Sequence, residues 1–410
     1  MGAERAGDGH PAPEARPARR GGRLPAVVLG GLVALFLLSL LGDRLLPRLS
    51  PTFEPDTGLM LPLDLDVRID KHEFAYTLRT NHLGLRNAEV PLGKPAGARR
   101  LLLLGDEQTA GVGVDAEQTF AARLDARLAG IEVINAGRPH ADPLQQARIF
   151  HHVGVRYGPD AVLLCVAGDD LGNMPWEPIE SLFELTPTER TVSELLWPHA
   201  SAARAKAKRR SKYTAPPEPF DFVAKIEERA TKKKISAGHI AAWKRAVAGY
   251  PQLVEAAGAG RFNGNVMAMG LLWHRQWPDS LDLGQTYKEK AWANMRRVLR
   301  AVAEDASKSG SALGVVFLPE RVQYAPAYHG FLRRFGLRMD PLWLTEPSRF
   351  QIALGRWCGD HGVPFLDLTE AFRKHADPAA LSHTYGGELT AAGHGLVAER
   401  VAAWTPTWAK

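Results

Sequence analysis

Cysteine is nearly absent from this sequence, with only two residues among 410. Cys165 lies inside the apolar run AVLLCVAG and Cys358 follows Trp357 in a predicted helix, so both are expected to be small buried side chains. Neither has the spacing of a metal-binding cysteine motif, so the sequence predicts no structural zinc site. A disulfide between the two cannot be derived from sequence.

Internal repeats and a strong excess of one charge are also lacking. Apolar residues make up 45% and charged residues 23% of the sequence, which are ordinary values for a globular protein. The net charge of +6 is spread over several clusters, so it argues only weakly for an anionic partner, and no nucleic-acid partner is expected. The length suffices for one large α/β domain with an insertion, or for two small domains.

One long hydrophobic run is present, near the N-terminus. Residues 24–41 are eighteen residues without a charge, close to the length of a helix that crosses a bilayer. Residues 1–23 before it are predicted to be a disordered tail whose arginines gather next to the run. Positive charge on this side predicts a cytoplasmic tail, a single-pass anchor over residues 24–42 in the inner (cytoplasmic) membrane, and a domain exported to the periplasm or the cell exterior. A cleavable signal peptide is the alternative, but no small-x-small site follows the run.

After a Pro- and Leu-rich neck over residues 43–98, short apolar runs alternate with helical patterns. The apolar runs predict buried strands at residues 100–104, 131–134, 161–166, 313–318 and 364–368. The helical patterns cover residues 116–128, 143–157, 350–357 and 390–404. Strands separated by helices predict an α/β fold, a parallel sheet in a three-layer α/β/α arrangement, over residues 99–170 and 286–410.

Residues 171–285 interrupt this alternation and are predicted to be a helical insertion. Its basic clusters at residues 204–212 and 232–234 are expected to be solvated helix faces, with patches for anionic lipid or glycan as the alternative. Trp273 and Trp277 are expected to pack the insertion onto the sheet domain, with stacking on a sugar as the alternative.

Ligands of open parallel sheets bind beyond the carboxyl ends of the strands. This rule selects residues 105–107, 135–137 and 167–170, and therefore the side chains of Asp106, Glu107, Asp169 and Asp170. Arg321 follows the fourth predicted strand and is a candidate to neutralise a carboxylate at the same edge.

Four segments in order resemble the conserved blocks of the SGNH (GDSL-type) hydrolases, which have a flavodoxin-like sheet. They are LLLLGDEQTAGVGV (residues 101–114), VINAGRP (133–139), YGPDAVLLCVAGDDL (157–171) and LSHTYGGELTAAGHGLVAE (381–399). Upstream, TNHLGLRN (residues 80–87) is similar to the lead-in of membrane-anchored bacterial members. The resemblance covers more than half of the part that follows the anchor.

The residues that carry the family's chemistry are replaced in this sequence. The resemblance places Glu107 at the nucleophilic serine, Asp169 at the asparagine of the oxyanion hole and Glu388 at the histidine base, while Gly137 retains the glycine donor. The aspartate that orients the histidine maps to Gly386 or Tyr385. A carboxylate supplies neither an attacking hydroxyl nor an N–H for an oxyanion, so a serine esterase mechanism is not expected.

Several interpretations of these carboxylates stay open. The resemblance implies a role at cell-envelope glycan or lipid, so the first interpretation is a non-hydrolytic binding or assembly component. The second is an enzyme, either a rearranged acyl-ester hydrolase or acyltransferase, or one that uses the carboxylates as an acid/base pair or a Ca²⁺ or Mg²⁺ site. Metal ligands would be Glu107, Asp169 and Glu388, and Asp106 and Asp170 are expected in the same ligand pocket. The third is a structural partner of other membrane proteins.

Overall fold

The computed structural model describes residues 23–49, 59–184, 196–283 and 286–405. Almost all of the predicted disordered tail, residues 1–23, therefore lies outside the described residues. The chain divides into two compact units, residues 1–55 with 187–205 and residues 56–186 with 206–410. The predicted boundaries of neck, insertion and sheet domain differ from this division and stay predictions.

The first unit contains helix α1, Arg23–Leu49. Its window Val28–Leu45 is almost wholly exposed, and it is long and apolar enough to cross a membrane. At the end of this window Asp43 accepts a hydrogen bond from the backbone N–H of Ala200 at 2.7 Å. Phe36 packs edge-on against Trp197 with 5.5 Å between the ring centroids.

The second unit is built on a five-stranded parallel sheet, which confirms the predicted fold class. Its strands are β3 (Arg99–Leu104), β4 (Ile131–Asn135), β5 (Ala161–Ala167), β6 (Ala312–Leu318) and β7 (Phe365–Asp367), and an antiparallel hairpin of β1 (Asp66–Asp70) and β2 (Ala75–Arg79) precedes them. The strand order across the sheet is β4-β3-β5-β6-β7. Each of the five strands overlaps a predicted one, because long apolar runs are typical of strands covered on both faces. The hairpin was not predicted.

Side chains along each strand alternate between the two faces of the sheet, and helices cover both faces. Leu101 and Leu103 of β3 belong to one hydrophobic cluster, together with residues of the helices in 222–281. Leu102 and Leu104 point the other way, into a second cluster with helices on the opposite face. Neighbouring side chains of a strand face opposite sides of the sheet, so the same apolar run fills both cores.

Helices connect the strands and make up most of the described part of the predicted insertion. In chain order after α1 they are α2 (Glu107–Ala110), α3 (Phe120–Asp125), α4 (Pro143–His152), α5 (Asp170–Asn173), α6 (Pro198–Thr214), α7 (Phe222–Lys232), α8 (Ala237–Ala248), α9 (Pro251–Gly258), α10 (Asn265–Leu272), α11 (Gln276–Leu281), α12 (Thr286–Lys308), α13 (Pro326–Arg334), α14 (Arg349–Asp360), α15 (Thr369–Arg373) and α16 (Ala391–Trp404). Short 3₁₀ turns lie at Ala116–Gln118, Gly154–Tyr157, Arg321–Gln323, Pro341–Leu344 and Pro378–Leu381. Several helices begin at a residue whose side chain caps the first turn. Helix α4 is an example, since Asp142 accepts a hydrogen bond from the N–H of Gln145 and Pro143 occupies the first helical position.

Candidate functional site

A cavity of about 520 Å³ lies at the carboxyl edge of the sheet. Glu107 follows β3, Asp169 follows β5 and Glu388 precedes α16, and all three line this cavity. Parallel strands end at one edge, so residues distant in sequence meet there. The structure thus brings together the three positions that the resemblance assigns to catalysis.

Glu107 opens α2 and turns its side chain into the cavity. Its Oε2 accepts a hydrogen bond from the backbone N–H of His140 at 3.1 Å. His140 has a φ of +62°, a left-handed conformation that places its N–H toward the carboxylate. Asp169 is held by Asn173, whose Nδ2 donates to Oδ2 at 3.0 Å. Burial raises the pKa of Asp169 to about 6, and the charge of Glu107 adds to the rise.

Asp106 and Asp170, which were predicted in the same ligand pocket, are not among the residues that line the cavity. Asp106 caps α2 by accepting from the N–H of Gln108 at 2.9 Å, and Asp170 accepts from the N–H of Ala167 at 2.8 Å. Both are buried. Burial raises the pKa of each carboxyl well above its usual range. The charges of Glu107 and Asp169 add to the rise at Asp106, and those of Asp106 and Asp169 add to the rise at Asp170. Their observed contacts hold the ends of β3 and β5 in place.

Gly137 also lies outside the cavity lining, and its N–H is already engaged. Asn135 Oδ1 accepts a hydrogen bond from the Gly137 N–H at 3.0 Å. A Cβ at Gly137 would lie 2.5 Å from the backbone nitrogen of Ala110, so only glycine fits against α2 here. Gly137 therefore has a packing role in this chain.

Glu388 lies in the loop between Ser382 and Leu389, which are joined by an isolated β-bridge. Its Oε2 is buried and has no hydrogen-bond partner among the described residues. A Cβ at Gly386, one of the two positions to which the orienting aspartate maps, would lie 2.0 Å from Oε2, so a side chain there would require the end of the Glu388 side chain to move. Burial, together with the charges of Glu107 and Glu73, raises the pKa of Glu388 to about 7.

Neither nearby histidine replaces the missing base. His383 lies outside the cavity lining, and burial lowers its pKa. His394 is fully buried on α16, where its Nδ1 accepts from the backbone N–H of Phe120 at 3.1 Å. Its contact with α3 gives it a structural role.

The β1–β2 hairpin contributes residues that sequence reasoning missed. Glu73 accepts hydrogen bonds from the backbone N–H groups of Tyr385 at 2.8 Å and Gly386 at 2.6 Å, so it holds the loop that carries Glu388. Lys71 lines the cavity and donates to the carbonyl oxygen of Gly260 at 2.8 Å. No sequence motif marked them, because the hairpin itself was not predicted.

Glu320 and Arg321 follow β6 at the same edge and both line the cavity. Burial and the nearby acids, Asp169 first among them, raise the pKa of Glu320 well above its usual range. After the fourth predicted strand, sequence reasoning selected Arg321 and missed its neighbour Glu320. Arg321 donates to the carbonyl oxygen of His383 and lies 5.1 Å from the ring centre of Tyr328. Within the described part of the chain it forms no ion pair with a cavity carboxylate.

The remaining wall is aromatic and basic. It includes Tyr76, Tyr213, Phe262, Trp277 and Tyr328, with Lys212 and Arg261. Trp277 is nearly buried, whereas Trp273 lies outside the lining. Serine, threonine and cysteine are absent from the lining residues that the structure describes. In the same described ranges, no group of three or more His, Cys, Asp or Glu side chains has an arrangement that could hold a metal ion.

The shifted pKa of Glu388 gives an expected pH dependence. Because the folded state binds this proton more tightly than the unfolded state, the free energy of unfolding should fall as the pH rises from about 4.5 to about 7. Glu388→Gln removes this contribution, so at about pH 8 we expect it to be more stable than the native chain by about 3 kcal/mol. Urea unfolding at several pH values measures the difference. Glu304→Gln, an exposed position on α12, is the control, and equal pH profiles for native chain and Glu388→Gln would contradict the assignment.

Comparisons with known proteins give structural similarity only. No family model and no curated protein matches the chain. Among solved structures, a putative lipolytic protein of the G-D-S-L family from Desulfitobacterium hafniense matches at 11% identity with a TM-score of 0.35, covering 74% of this chain and 98% of that one. A lipase/acylhydrolase from Enterococcus faecalis matches at 12% with a TM-score of 0.34, covering 75% and 96%. The acetylxylan esterase Axe2 from Geobacillus stearothermophilus matches at 13% with a TM-score of 0.35, covering 77% and 95%. At these identities the likeness concerns the fold alone and adds nothing to what the sheet topology shows.

Proposed function

We propose that this chain is a membrane-anchored SGNH-type pseudo-hydrolase whose cavity binds a cell-envelope glycan or lipid without hydrolysing it. The observation that carries the proposal is the cavity wall itself. Glu107, Asp169 and Glu388 meet there, and no serine, threonine or cysteine lies among the described lining residues. Nucleophilic ester hydrolysis needs an activated hydroxyl or thiol beside a base.

The oxyanion side supports the same conclusion. Asp169 has no N–H to donate, and the N–H of Gly137 is bound to Asn135. Negative charge developing on a substrate carbonyl would meet carboxylates instead of donors. Loss of one such donor costs about 2.7–4 kcal/mol of transition-state stabilisation in serine proteases, and here two are affected.

The cavity chemistry suits a ligand with many hydroxyl groups. Carboxyl groups whose pKa lies near neutrality can both donate and accept hydrogen bonds, as Glu388 does at about 7 and Asp169 at about 6. Partly exposed aromatic side chains such as Phe74 and Tyr213 supply apolar surface for sugar-ring faces or acyl chains. An envelope glycan or lipid satisfies both requirements.

Helix α1 supports the proposed location. Its exposed apolar window supports a membrane anchor, and the arginines on its N-terminal side support a cytoplasmic N-terminus with the second unit exported. The cavity would then face the cell envelope, where glycan and lipid ligands are found.

Binding of N-acetylglucosamine oligomers tests the proposal. We expect the purified full chain in detergent to bind them, and Glu107→Ala to weaken binding about 10- to 100-fold because one charged hydrogen bond is lost. Isothermal titration measures both affinities. Glu304→Ala, which removes an exposed acid elsewhere, should bind like the native chain, and equal affinity for Glu107→Ala would contradict a ligand in this cavity.

An acid/base enzyme is the second candidate, favoured by one observation. Glu388, with a pKa of about 7, shares the cavity with Glu107, and two carboxyl groups in unlike environments are typical of glycosidases. Turnover of a glycan that is lost in Glu107→Gln would support it. The Ca²⁺ or Mg²⁺ site at Glu107, Asp169 and Glu388 stays a prediction, which calorimetric titration with either ion checks.

A further inference from the structure

A row of basic side chains lies along one face of α7. Lys225, Arg229 and the C-cap Lys233 are spaced four residues apart, which places them on one side of the helix over about 12 Å. The acids of the helix are engaged elsewhere, since Glu227 pairs with Lys244 at 2.8 Å and Glu228 with Lys232 at 2.5 Å. No acidic side chain in the described ranges forms an ion pair with the three cations of the row.

Two exposed aromatic side chains flank this row. Phe220 is 39% exposed, and the Lys225 ammonium lies 4.2 Å from its ring centre. Trp273 is 36% exposed, and its ring is approached by the guanidinium of Arg229 at 4.9 Å and the ammonium of Lys233 at 5.2 Å. We call these five residues the α7 strip. The strip therefore combines cations with amphipathic aromatic side chains, the residue types that bind at a membrane interface.

We infer that the α7 strip docks on the anionic headgroups of a lipid bilayer. The cations attract lipid phosphates, and Trp and Phe favour the boundary between headgroups and acyl chains. Stacking on a sugar is the poorer match, because the Trp273 ring is already engaged by two cations. The same chain carries α1, a candidate membrane span, so a bilayer is available to the strip. The inference is independent of what the cavity binds.

The expected strength follows from the number of cations. Each basic residue near an anionic bilayer strengthens binding roughly fivefold, so removing three should weaken docking roughly 100-fold. Attraction of this kind is screened by salt. Docking should therefore require anionic lipid and should weaken as the ionic strength rises.

The test uses the full chain in nanodiscs. Ala224→Cys places a thiol beside Lys225 for a fluorescent label, and both native cysteines are buried and free, so the label selects the new site. Lipids that carry a quencher on their headgroup report contact. We expect quenching in nanodiscs that contain phosphatidylglycerol, little in pure phosphatidylcholine, and loss of quenching in high salt.

A matched pair of variants separates docking from net charge. Lys225→Gln/Arg229→Gln/Lys233→Gln should abolish the quenching. Arg127→Gln/Lys290→Gln/Lys308→Gln removes the same charge from exposed positions elsewhere and should leave the quenching unchanged. Equal quenching in both lipids, equal loss in both triple variants, or no quenching in anionic nanodiscs would each overturn the inference. The last result together with binding of alginate oligomers would assign the strip to an anionic polysaccharide instead.

Discussion

The purified protein is expected to hydrolyse p-nitrophenyl acetate and butyrate no faster than its Glu107→Gln variant. Removing the serine or the histidine of an intact triad lowers kcat about 10⁶-fold, and this chain has glutamate at both positions. The residual catalysis that such mutants retain comes from the oxyanion hole and substrate binding. In this chain much of that residual catalysis is also expected to be lost, because Asp169 has no N–H to donate and the N–H of Gly137 is already bound to Asn135. Release of p-nitrophenol by the full chain in detergent measures the rate, with an active esterase as the positive control.

A double variant sharpens this test. Glu107→Ser/Glu388→His restores two of the missing groups, and a gain in turnover over both single variants would show that the two positions act in one site. We expect the gain to be small, because Gly386 supplies no carboxylate to orient the new histidine. Clear turnover by the native chain that disappears in Glu107→Gln would contradict the pseudo-hydrolase proposal and make the carboxylates catalytic.

The sheet and three of the cavity carboxylates could be predicted because their positions depend on local sequence patterns. Apolar runs followed directly by glycine or acid located the strands β3 and β5 and their ends. The parallel arrangement then brought Glu107 and Asp169 together, and the resemblance of the last block added Glu388. Each of these steps needs only the order of residues along the chain.

The sequence does not predict which of two adjacent acids faces the cavity. In the pair Asp106–Glu107, the first side chain turns inward to cap α2 and the second enters the cavity. In the pair Asp169–Asp170, the first lines the cavity and the second turns inward. Both short helices begin at the second acid of the pair, so the position of the helix start does not decide which side chain enters the cavity; the packing around each pair does. Two adjacent carboxylate side chains are chemically alike, so the sequence does not show which of them turns inward.

The hairpin contribution could not be predicted for a different reason. Strands β1 and β2 are short and only partly buried, so they lack the apolar run that marks the central strands. Glu73 reaches the loop of Glu388 across more than three hundred residues of sequence. A contact of this kind is fixed by tertiary packing, and local propensity carries no signal for it.

Arg86 binds the backbone of the turn that follows Glu107, and its replacement by methionine should strongly destabilise the fold. The residue is the arginine of the segment TNHLGLRN, and it is almost fully buried. Its guanidinium donates to the carbonyl oxygens of Ala110 at 2.9 Å, Val114 at 2.5 Å and Gly111. These carbonyls belong to the turn that ends α2, where Gly111 adopts a φ of +77°.

Arg86→Met keeps much of the side-chain volume but leaves several buried carbonyl groups without their donor. Each unsatisfied buried group costs about 1–3 kcal/mol, so we expect the free energy of unfolding to fall by about 4 kcal/mol. Arg86→Lys retains the charge but lacks the planar guanidinium, so its free energy of unfolding should lie between those of the native chain and Arg86→Met. Urea unfolding of the full chain measures all three, with Arg127→Met at an exposed position as the control. A loss below about 0.5 kcal/mol, the range of an ordinary surface substitution, would show that the turn after Glu107 is held by its own backbone and not by Arg86.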